Sequence, residues 1–373
     1  MKSYPFSIKI TVYLLFVILA IFALIQARNF LYPIFIAILV AYLLFPIAKR
    51  LERLKIPRIL ANFISIILAF GVIFAGFYLL YQQLIVFAED IPTFREQAIN
   101  NINRIEETAI ELLNMEHRPE EGLLKKHLLG FLEASGYFLE TALTATAGTI
   151  AKLALVPVYV FFMLYYRNKF HDFILLVTPS EKHVRMQTVI REISNVTKRY
   201  MGGIVIVVLL LCILNSIGLM IVGIQYPILF GILSALMNFI PYFGTLIGGA
   251  IPFLFALLTE ESPGYALGVV ILFLIIQFTE NNILTPNIVG GKLNINPLFI
   301  ILTIVIGGVI WGLPGMIVSV PFVGMFKIFC DNMESLKPYS FLLSSQGTEK
   351  HAITIKKLKQ VFKSKKQKDS SSK

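Results

Sequence analysis

Residues 278–297 read Phe-Thr-Glu-Asn-Asn-Ile-Leu-Thr-Pro-Asn-Ile-Val-Gly-Gly-Lys-Leu-Asn-Ile-Asn-Pro, and the rest of the chain is interpreted around this stretch. It follows one long apolar run and precedes another. Its polar cluster is Glu280, Asn281 and Asn282, and its helix breakers are Pro286, Gly290, Gly291 and Pro297. Irregular polar backbone at membrane depth is tolerated only where protein or a watery cavity satisfies it. We therefore expect the membrane helix to break here, at a place where solute or ions meet the protein.

The composition indicates a membrane protein. Hydrophobic residues make up 57% of the 373 positions, charged residues 15%, and the mean hydropathy is +0.76. Several uncharged runs of roughly 18 or more residues are long enough to cross a bilayer. The first, Ile10 to Ala27, is longer than a signal-peptide core and lacks a small-residue cleavage site, so we interpret it as a retained helix. We predict an all-α polytopic protein with about eight transmembrane helices, with six to ten crossings left open.

The distribution of charge predicts the orientation. The net charge is +11, and ten of the lysines lie from Lys337 onward, with only two acids among them. Residues 89–140 instead hold eleven acids against five lysines and arginines. Because basic loops stay on the cytoplasmic side, we expect a multi-pass membrane protein with both termini cytoplasmic. The same distribution predicts the lipid bilayer as a partner and argues against nucleic acid.

The order of these features divides the chain into six predicted regions. They are transmembrane helices 1–3 in 1–88, an external acidic helical hairpin in 89–146, a fourth transmembrane helix in 147–166, a cytoplasmic amphipathic basic helix in 167–200, a C-terminal transmembrane core with broken helices in 201–332, and a basic cytoplasmic tail in 333–373. Four apolar runs of the core are short for a crossing: Pro227–Ile240, Leu246–Leu258, Leu298–Trp311 and Met316–Phe329. Each pair of short runs is either a re-entrant hairpin or two tilted crossings.

The external region shows a helical seam. Its apolar residues recur every three or four positions, at Ile91, Phe94, Ala98, Ile102, Ile105, Ala109 and Leu112. This spacing is typical of a short coiled coil. The triplet His117-Arg118-Pro119 breaks the pattern, and a second helix is predicted with Leu124, Leu128, Phe131 and Phe138 on one face. The hairpin either packs on itself or a neighbouring subunit, or forms an external lid or partner site.

The sequence lacks the motifs of several common classes of enzyme. There is no His-Glu-x-x-His, no Gly-x-Ser-x-Gly, no intramembrane aspartate pair and no phosphate-binding loop. Cys212 and Cys330 lack the spacing of a metal or redox site. We therefore expect no enzyme, no catalytic residue, no metal and no cofactor. A protein of this kind that moves solute is a channel or a secondary transporter.

The candidate transport residues lie in the second half of the chain. Glu280 is the only acid between Ser262 and Cys330, and a carboxylate at membrane depth is a site hypothesis by default. The predicted pathway residues are Asn238, Pro241, Tyr242, Gly244, Gln277, Glu280, Asn281, Asn282, Pro286, Asn296 and Pro297. The alternative for Glu280 is a headgroup-level cap near Lys292, and for Asn238 it is a hydrogen bond between helices.

Glycines and prolines near these residues are predicted to serve as hinges or close-packing positions. They are Gly248, Gly249, Gly290, Gly291, Gly307, Gly308, Gly312, Pro314 and Gly315. The spacing Asn238-x-x-Pro241 before a glycine pair is repeated by Asn294-x-x-Pro297 before Gly307-Gly308. Matching broken helices in two parts of a chain are typical of transporter substrate sites.

With these motifs in hand, the C-terminal half resembles the AI-2E family of bacterial transporters. The resemblance rests on Asn238-Phe-Ile-Pro-Tyr-Phe-Gly244, Ile247-Gly-Gly249, Glu280 to Pro286, Gly290 to Pro297, Ile306 to Met316, and Val320-Pro321. It implies a secondary transporter of the bacterial inner (cell) membrane that assembles as a homo-oligomer. Some members resemble exporters of small polar signals such as autoinducer-2, and others resemble sodium (lithium)/proton antiporters. Where the family often has Leu-His before a proline, this chain has Ile295-Asn296, so the resemblance supplies no titrating histidine there.

The functional hypothesis is export of a small polar solute, with Glu280 as the charged member of the pathway. Antiport of a monovalent cation and a proton is the first alternative. A passive channel would use the same pathway without coupling. A structural or regulatory membrane protein would instead act through the external hairpin and the lysine-rich tail.

Overall fold

The computed structural model describes residues 5–113, 130, 147–241, 243–260, 262–289 and 294–345, and the elements within these ranges are helical apart from one isolated β-bridge between Ile295 and Ser344. The helices are α1 Phe6–Gln26, α2 Arg28–Arg53, α3 Arg58–Glu89, α4 Ile91–Leu113, α5 Ala147–Tyr165, α6 Arg167–Val177, α7 His183–Val222, α8 Pro227–Met237, α9 Phe243–Thr259, α10 Pro263–Thr279, α11 Thr285–Ile288, α12 Pro297–Trp311, α13 Leu313–Asn332 and α14 Lys337–Leu343. A π-helical turn, Glu280–Leu284, joins α10 to α11. The all-α prediction is confirmed.

Six helical segments in the described ranges are long and apolar enough to cross a membrane. They contain α1, α2, α3, α7, α10 with α11, and α13. Shorter apolar helices accompany them in α5, α8, α9 and α12. The prediction of a polytopic membrane protein is confirmed. The run Met316–Phe329, predicted to be short, belongs to the 20-residue α13, because the helix starts immediately after Gly312 and takes Pro314 into its first turn, where a missing N–H costs nothing.

The first half of the fold is a three-helix bundle of α2, α3 and α5. Its core contains Ala37, Ala41 and Leu44 of α2, Ile66 of α3 and Val160 of α5. Small alanines allow the helices to approach closely in the membrane. Helix α1 contributes no buried residue, and the indole of Trp311 donates to its Leu24 carbonyl at 3.0 Å.

The basic region 167–200 differs from the single helix that its sequence predicts. Helix α6 ends at Val177 because Thr178 precedes Pro179 and is forced into an extended conformation. A short 3₁₀ turn follows, Ser180–Lys182, and α7 then runs without interruption for 40 residues into the membrane. The amphipathic segment and the span after it are therefore one helix.

Helices α8 and α9 form a helical hairpin against α7, which we interpret as re-entrant. Helix α7 ends at Gly223, whose φ of 89° is the left-handed conformation that terminates helices. The 11 residues of α8 extend for about 16 Å, roughly half of a 30 Å hydrocarbon core. The chain turns after Asn238 and returns as α9. Of the two arrangements left open for this pair, the short length of α8 favours the re-entrant hairpin, and Ile240 at its tip is buried.

The stretch 278–297 remains helical further along the chain than its sequence predicts. Helix α10 continues through the π turn into α11, so Pro286 does not break it. Widening to a π turn releases backbone bonds just before the proline, and Pro286 then occupies the first turn of α11, where its missing N–H is harmless. The described helix ends at Ile288.

The predicted seam of the external region is buried against the rest of the chain. Phe94, Ala98 and Ile102 of α4 are each at most 3% exposed. Phe94 joins Phe87, Tyr226, Phe230 and Phe255 in a cluster whose ring centroids pair within 5.8 Å. Helix α4 thus packs on the open end of the α8–α9 hairpin in its own chain, where α8 begins and α9 ends. The predicted second helix, with Leu124, Leu128, Phe131 and Phe138, lies outside the described residues.

The C-terminal segment folds back onto the core. Buried Lys327 of α13 donates to Asp331 at 2.7 Å, and Ser340 of α14 donates to the other oxygen of the same carboxylate. The backbone N–H of Asn296 then donates to the Leu343 carbonyl at 2.8 Å. The tail is therefore anchored to the start of α12 as far as residue 345, and its lysine-rich remainder lies outside the described residues.

Candidate functional site

The candidate site is formed where the tip of the re-entrant hairpin meets the π turn. The side-chain amide of Asn238, the residue that ends α8, donates a 2.6 Å hydrogen bond to Oε1 of Glu280. Glu280 is the first residue of the π turn and belongs to a candidate membrane span. Two residues that the sequence singled out separately are therefore in direct contact.

The surroundings of this pair are mainly apolar. Ile240 at the hairpin tip packs with Ile304 of α12 and Val320 of α13. On the other side, Ala235 of α8 and Ile276 of α10 pack with the α7 core. Glu280 is half-buried between these layers, and no lysine, arginine or histidine in the described ranges forms an ion pair with it. The carboxylate thus has a neutral amide as its described partner.

Glycines let the two arms of the hairpin approach each other. A Cβ at Gly244 would lie 2.2 Å from the Met237 carbonyl oxygen, and one at Gly248 would lie 2.8 Å from the Ser234 carbonyl oxygen. The Ser234 hydroxyl donates to the Gly248 carbonyl. Because any side chain at Gly244 or Gly248 would separate the arms, these glycines determine where Asn238 is held. Gly249 instead faces Phe273 of α10.

Two amides on neighbouring helices each have a buried oxygen. Asn215 of α7 is 3% exposed, and its Oδ1 has no hydrogen-bond partner among the described residues. Gln277, one turn before Glu280, has an Oε1 that is likewise buried and unpartnered in the described part of the chain. Gln277 was predicted from the sequence and Asn215 was not. A polar amide inside the apolar run 202–223 could have indicated Asn215 as a candidate site residue.

The other described pathway residues have different surroundings. Asn281 and Asn282 are exposed, and the Asn282 amide donates to the Phe278 carbonyl at 2.8 Å. Asn296 caps α12, since its Oδ1 accepts from the Leu298 N–H at 3.1 Å, and Pro297 starts that helix. Pro286 is exposed and Pro241 is half-buried in the hairpin turn. Tyr242, Gly290, Gly291 and Lys292 lie outside the described residues.

The second group of glycines joins α12 to α13. A Cβ on Gly307 would lie 2.5 Å from the Gly315 carbonyl oxygen, and one on Gly315 would lie 1.9 Å from that of Gly307. Gly308 faces Met316. Gly312 has φ 66°, a conformation that favours glycine, so α12 can end and α13 begin at one residue, with Pro314 in the first turn. These positions serve tight packing and the sharp reversal of the chain.

The arrangement is suited to binding rather than to covalent chemistry. A carboxylate and an amide can exchange hydrogen bonds with a polar solute, coordinate a monovalent cation, or take up a proton. In the described ranges, no group of three or more His, Cys, Asp or Glu side chains is placed to hold a metal ion. Discontinuous helices form the substrate sites of many secondary transporters.

The fold is that of a polytopic helical membrane protein. The sequence model of the AI-2E family transporters matches residues 11–335, so the chain belongs to this family. The resemblance inferred from the motifs is confirmed.

The chain is similar to transport proteins of other bacteria. "Putative transport protein YrrI" of Bacillus subtilis is 30% identical over 79% of this chain and 84% of the relative. "Putative transport protein YueF" of the same organism is 25% identical over 87% of this chain and 93% of the relative. "AI-2 transport protein TqsA" of Escherichia coli is 23% identical over 92% of this chain and 97% of the relative. A role in membrane transport follows from this family membership.

Proposed function

We propose that the protein is a secondary transporter that exports a small polar solute, of the autoinducer-2 kind, across the inner membrane. The observation that supports this most directly is the 2.6 Å hydrogen bond between Asn238 and Glu280. It joins a re-entrant tip to a π turn, two kinds of irregular helix that occur at functional sites. The name of the Escherichia coli relative, AI-2 transport protein, supports the choice of solute class.

Glu280 serves as the switch in this proposal. When ionised, it accepts the Asn238 amide and holds the hairpin tip against the π turn. A polyhydroxylated solute competes for both groups, because its hydroxyls can donate to the carboxylate and accept from the amide. Protonation of Glu280 then removes the charge that attracts those donors, and the solute is released. The unpartnered oxygens of Asn215 and Gln277 offer further acceptors along the same path.

Antiport of sodium or lithium against a proton is the second candidate. The observation that favours it is a half-buried carboxylate with no cationic partner in the described ranges. Such a group binds either a proton or a metal cation, and the two compete for one site. Backbone carbonyls freed by the hairpin turn and the π turn are the neutral ligands that such cations take in broken-helix transporters.

The test uses proteoliposomes that contain a pH-sensitive dye. Sodium, lithium or potassium is added to wild type, Glu280→Gln and the control Glu334→Gln, which removes an exposed acid. A cation-dependent pH change that is absent only in Glu280→Gln supports antiport. If no cation gives a signal with folded protein, efflux of a labelled polyhydroxylated solute is measured, and a loss confined to Glu280→Gln supports export.

Two results contradict the proposal. Transport that is unchanged in Glu280→Gln, with an unchanged pH dependence, removes the carboxylate from the mechanism. Flux that persists at full rate without any ion gradient indicates a passive channel in place of a coupled transporter.

A further inference from the structure

A second candidate site is formed by residues other than those around Glu280. A cavity of about 300 Å³ opens at the end of α2, beside α7. We call it the Phe45 basic pocket, and its lining residues are Phe45, Pro46, Lys49, Arg50, Arg53 and Lys198. Four of these six residues are cations, and the lining contains no acid. Its volume is at the small end of the range for ligand sites.

One aromatic ring gathers the positive groups. The Lys198 ammonium lies 4.3 Å from the Phe45 ring centroid, that of Lys49 lies 5.7 Å away, and the Arg167 guanidinium lies 5.1 Å away. Each distance is within the range of a cation–π contact. The ring therefore holds charges from three helices, α2, α6 and α7, around one point. Basic residues that only determine the membrane orientation of the chain would not have to lie around one ring.

The positive charge of the pocket is not neutralised by the described part of the protein. Glu52 is the nearby acid, and its carboxylate is already engaged by Arg167 at 2.5 Å and Arg58 at 4.0 Å. Within the described ranges, none of the four lining cations is within salt-bridge distance of a carboxylate. Like charges this close repel one another, so an anion of outside origin would stabilise the cluster.

The pocket lies where a membrane presents phosphate groups. The apolar part of α2 ends at Ala48, and the next helix begins at Arg58 after a short basic turn. The level of Lys49 to Arg53 is therefore the boundary between hydrocarbon and water. Basic pockets between membrane helices at this level are suited to anionic headgroups. Arginine and lysine are also the side chains that bind phosphate oxygens.

We propose that the Phe45 basic pocket binds a phosphate-bearing anion, and that in the membrane this anion is the headgroup of an anionic phospholipid. The phosphate accepts from Lys49 and Lys198 beside the ring, and Arg50 and Arg53 complete the rim. Bound lipid would tie α2 to α7 and thereby connect the first bundle to the helix that supports the re-entrant hairpin.

The test measures lipid binding to the delipidated full-length chain in detergent, where membrane orientation has no influence. Native mass spectrometry gives the affinity for short-chain phosphatidylglycerol and for zwitterionic short-chain phosphatidylcholine. We expect wild type to bind phosphatidylglycerol at least tenfold more tightly. The double variant Lys49→Gln/Lys198→Gln should lose about tenfold in that affinity, since each basic group near an anionic headgroup contributes several-fold.

The matched control is Lys182→Gln/Lys337→Gln, which removes two exposed lysines outside the pocket and gives the same net charge. It should bind as wild type does. Phe45→Leu changes no charge, and it replaces the double lysine variant in the test if that variant is unstable. It should lower the affinity several-fold by releasing the cations.

The source of the phosphate is decided by competition. If millimolar inorganic phosphate does not displace phosphatidylglycerol, the lipid is the ligand. If it displaces the lipid completely, the phosphate site stands but its ligand is the free ion. Equal binding of the two lipids, or equal losses in the pocket and control variants, would overturn the proposal.

Discussion

Asn238 and Glu280 are 42 positions apart in the sequence, and in the structure they share a 2.6 Å hydrogen bond. Each lies at an irregular point of the membrane-embedded core, one at the end of a half-length helix and the other at the start of a π turn. An interaction across two such points couples any movement of the hairpin tip to the state of the carboxylate. The following predictions test the contacts that hold this arrangement.

Gly203 and Gly202 are neighbours on α7, and only Gly203 is packed closely against another segment. A Cβ on Gly203 would lie 2.6 Å from the Cα of Val289, just after α11, whereas one on Gly202 would meet nothing within 4 Å. We expect Gly203→Ala to destabilise the protein by about 1–3 kcal/mol, because backbone must move, and to reduce transport by shifting the segment after Glu280. Gly202→Ala should be neutral or slightly stabilising. Thermal unfolding in detergent measures the difference, and equal effects of the two substitutions would contradict this contact.

Asn101 fastens α4 to the outer end of the re-entrant hairpin. Its amide donates to the Leu258 carbonyl at 3.0 Å and to the Glu260 carbonyl at 2.8 Å. Asn101→Ala leaves buried carbonyls without donors and should cost about 1–3 kcal/mol. The exposed neighbour Asn100→Ala is the control and should have little effect. Hydrogen exchange of residues 255–260 should rise in the first variant only. Equal protection in both would show that the aromatic cluster suffices to hold α4.

Tyr226, in the loop between α7 and α8, donates to Asp90. Burial, and then this hydrogen bond, raise the pKa of Tyr226 to about 12 from its ordinary value of 10.0. Since the folded state retains the proton longer, the contribution to stability is complete below pH 10 and is lost as the pH rises toward 12. Tyr226→Phe should therefore be less stable than wild type by about 1 kcal/mol at pH 8. This difference should shrink between pH 10 and 12. A difference that stays constant across that window would contradict the assignment.

Asn215 and Asn62 are two buried amides, and comparing their leucine variants distinguishes an effect on stability from an effect on transport. Both lie in membrane helices, are at most 3% exposed, and have side-chain atoms without partners among the described residues. Replacing such a group by leucine removes an unsatisfied polar atom, so both variants should be at least as stable as wild type. Only Asn215→Leu, beside the hairpin, should lower transport, by about tenfold, which equals the loss of roughly 1.4 kcal/mol of binding. Unchanged transport in Asn215→Leu would remove it from the pathway.

The fold was predictable from the sequence where one physical effect dominates. Long apolar runs predicted a polytopic membrane protein. The seam of Phe94, Ala98 and Ile102 predicted a buried helix face. The partner of that face was not predictable, because a seam shows which side is buried without showing what covers it. The single helix expected over 167–200 was wrong for a local reason, the extended conformation that Pro179 imposes on Thr178.

The candidate site was predictable in part. The scarcity of charge in the core singled out Glu280, and Asn238 followed from its place beside helix breakers. Their contact was not predictable, since it depends on how deeply α8 enters before it turns. Asn296 was grouped with them by spacing alone, yet its oxygen caps α12. Pro286 was expected to break a helix, but the π turn before it absorbs the missing hydrogen bond.

The most direct test of the central claim is proton release from purified protein in detergent, followed with a pH indicator in weak buffer. Adding the transported solute or cation to wild type should change the number of bound protons, with an amplitude that depends on pH. In Glu280→Gln, which keeps the shape of the side chain and removes its titration, we predict no change at any pH. A proton signal of equal size in wild type and Glu280→Gln would show that the coupling group lies elsewhere.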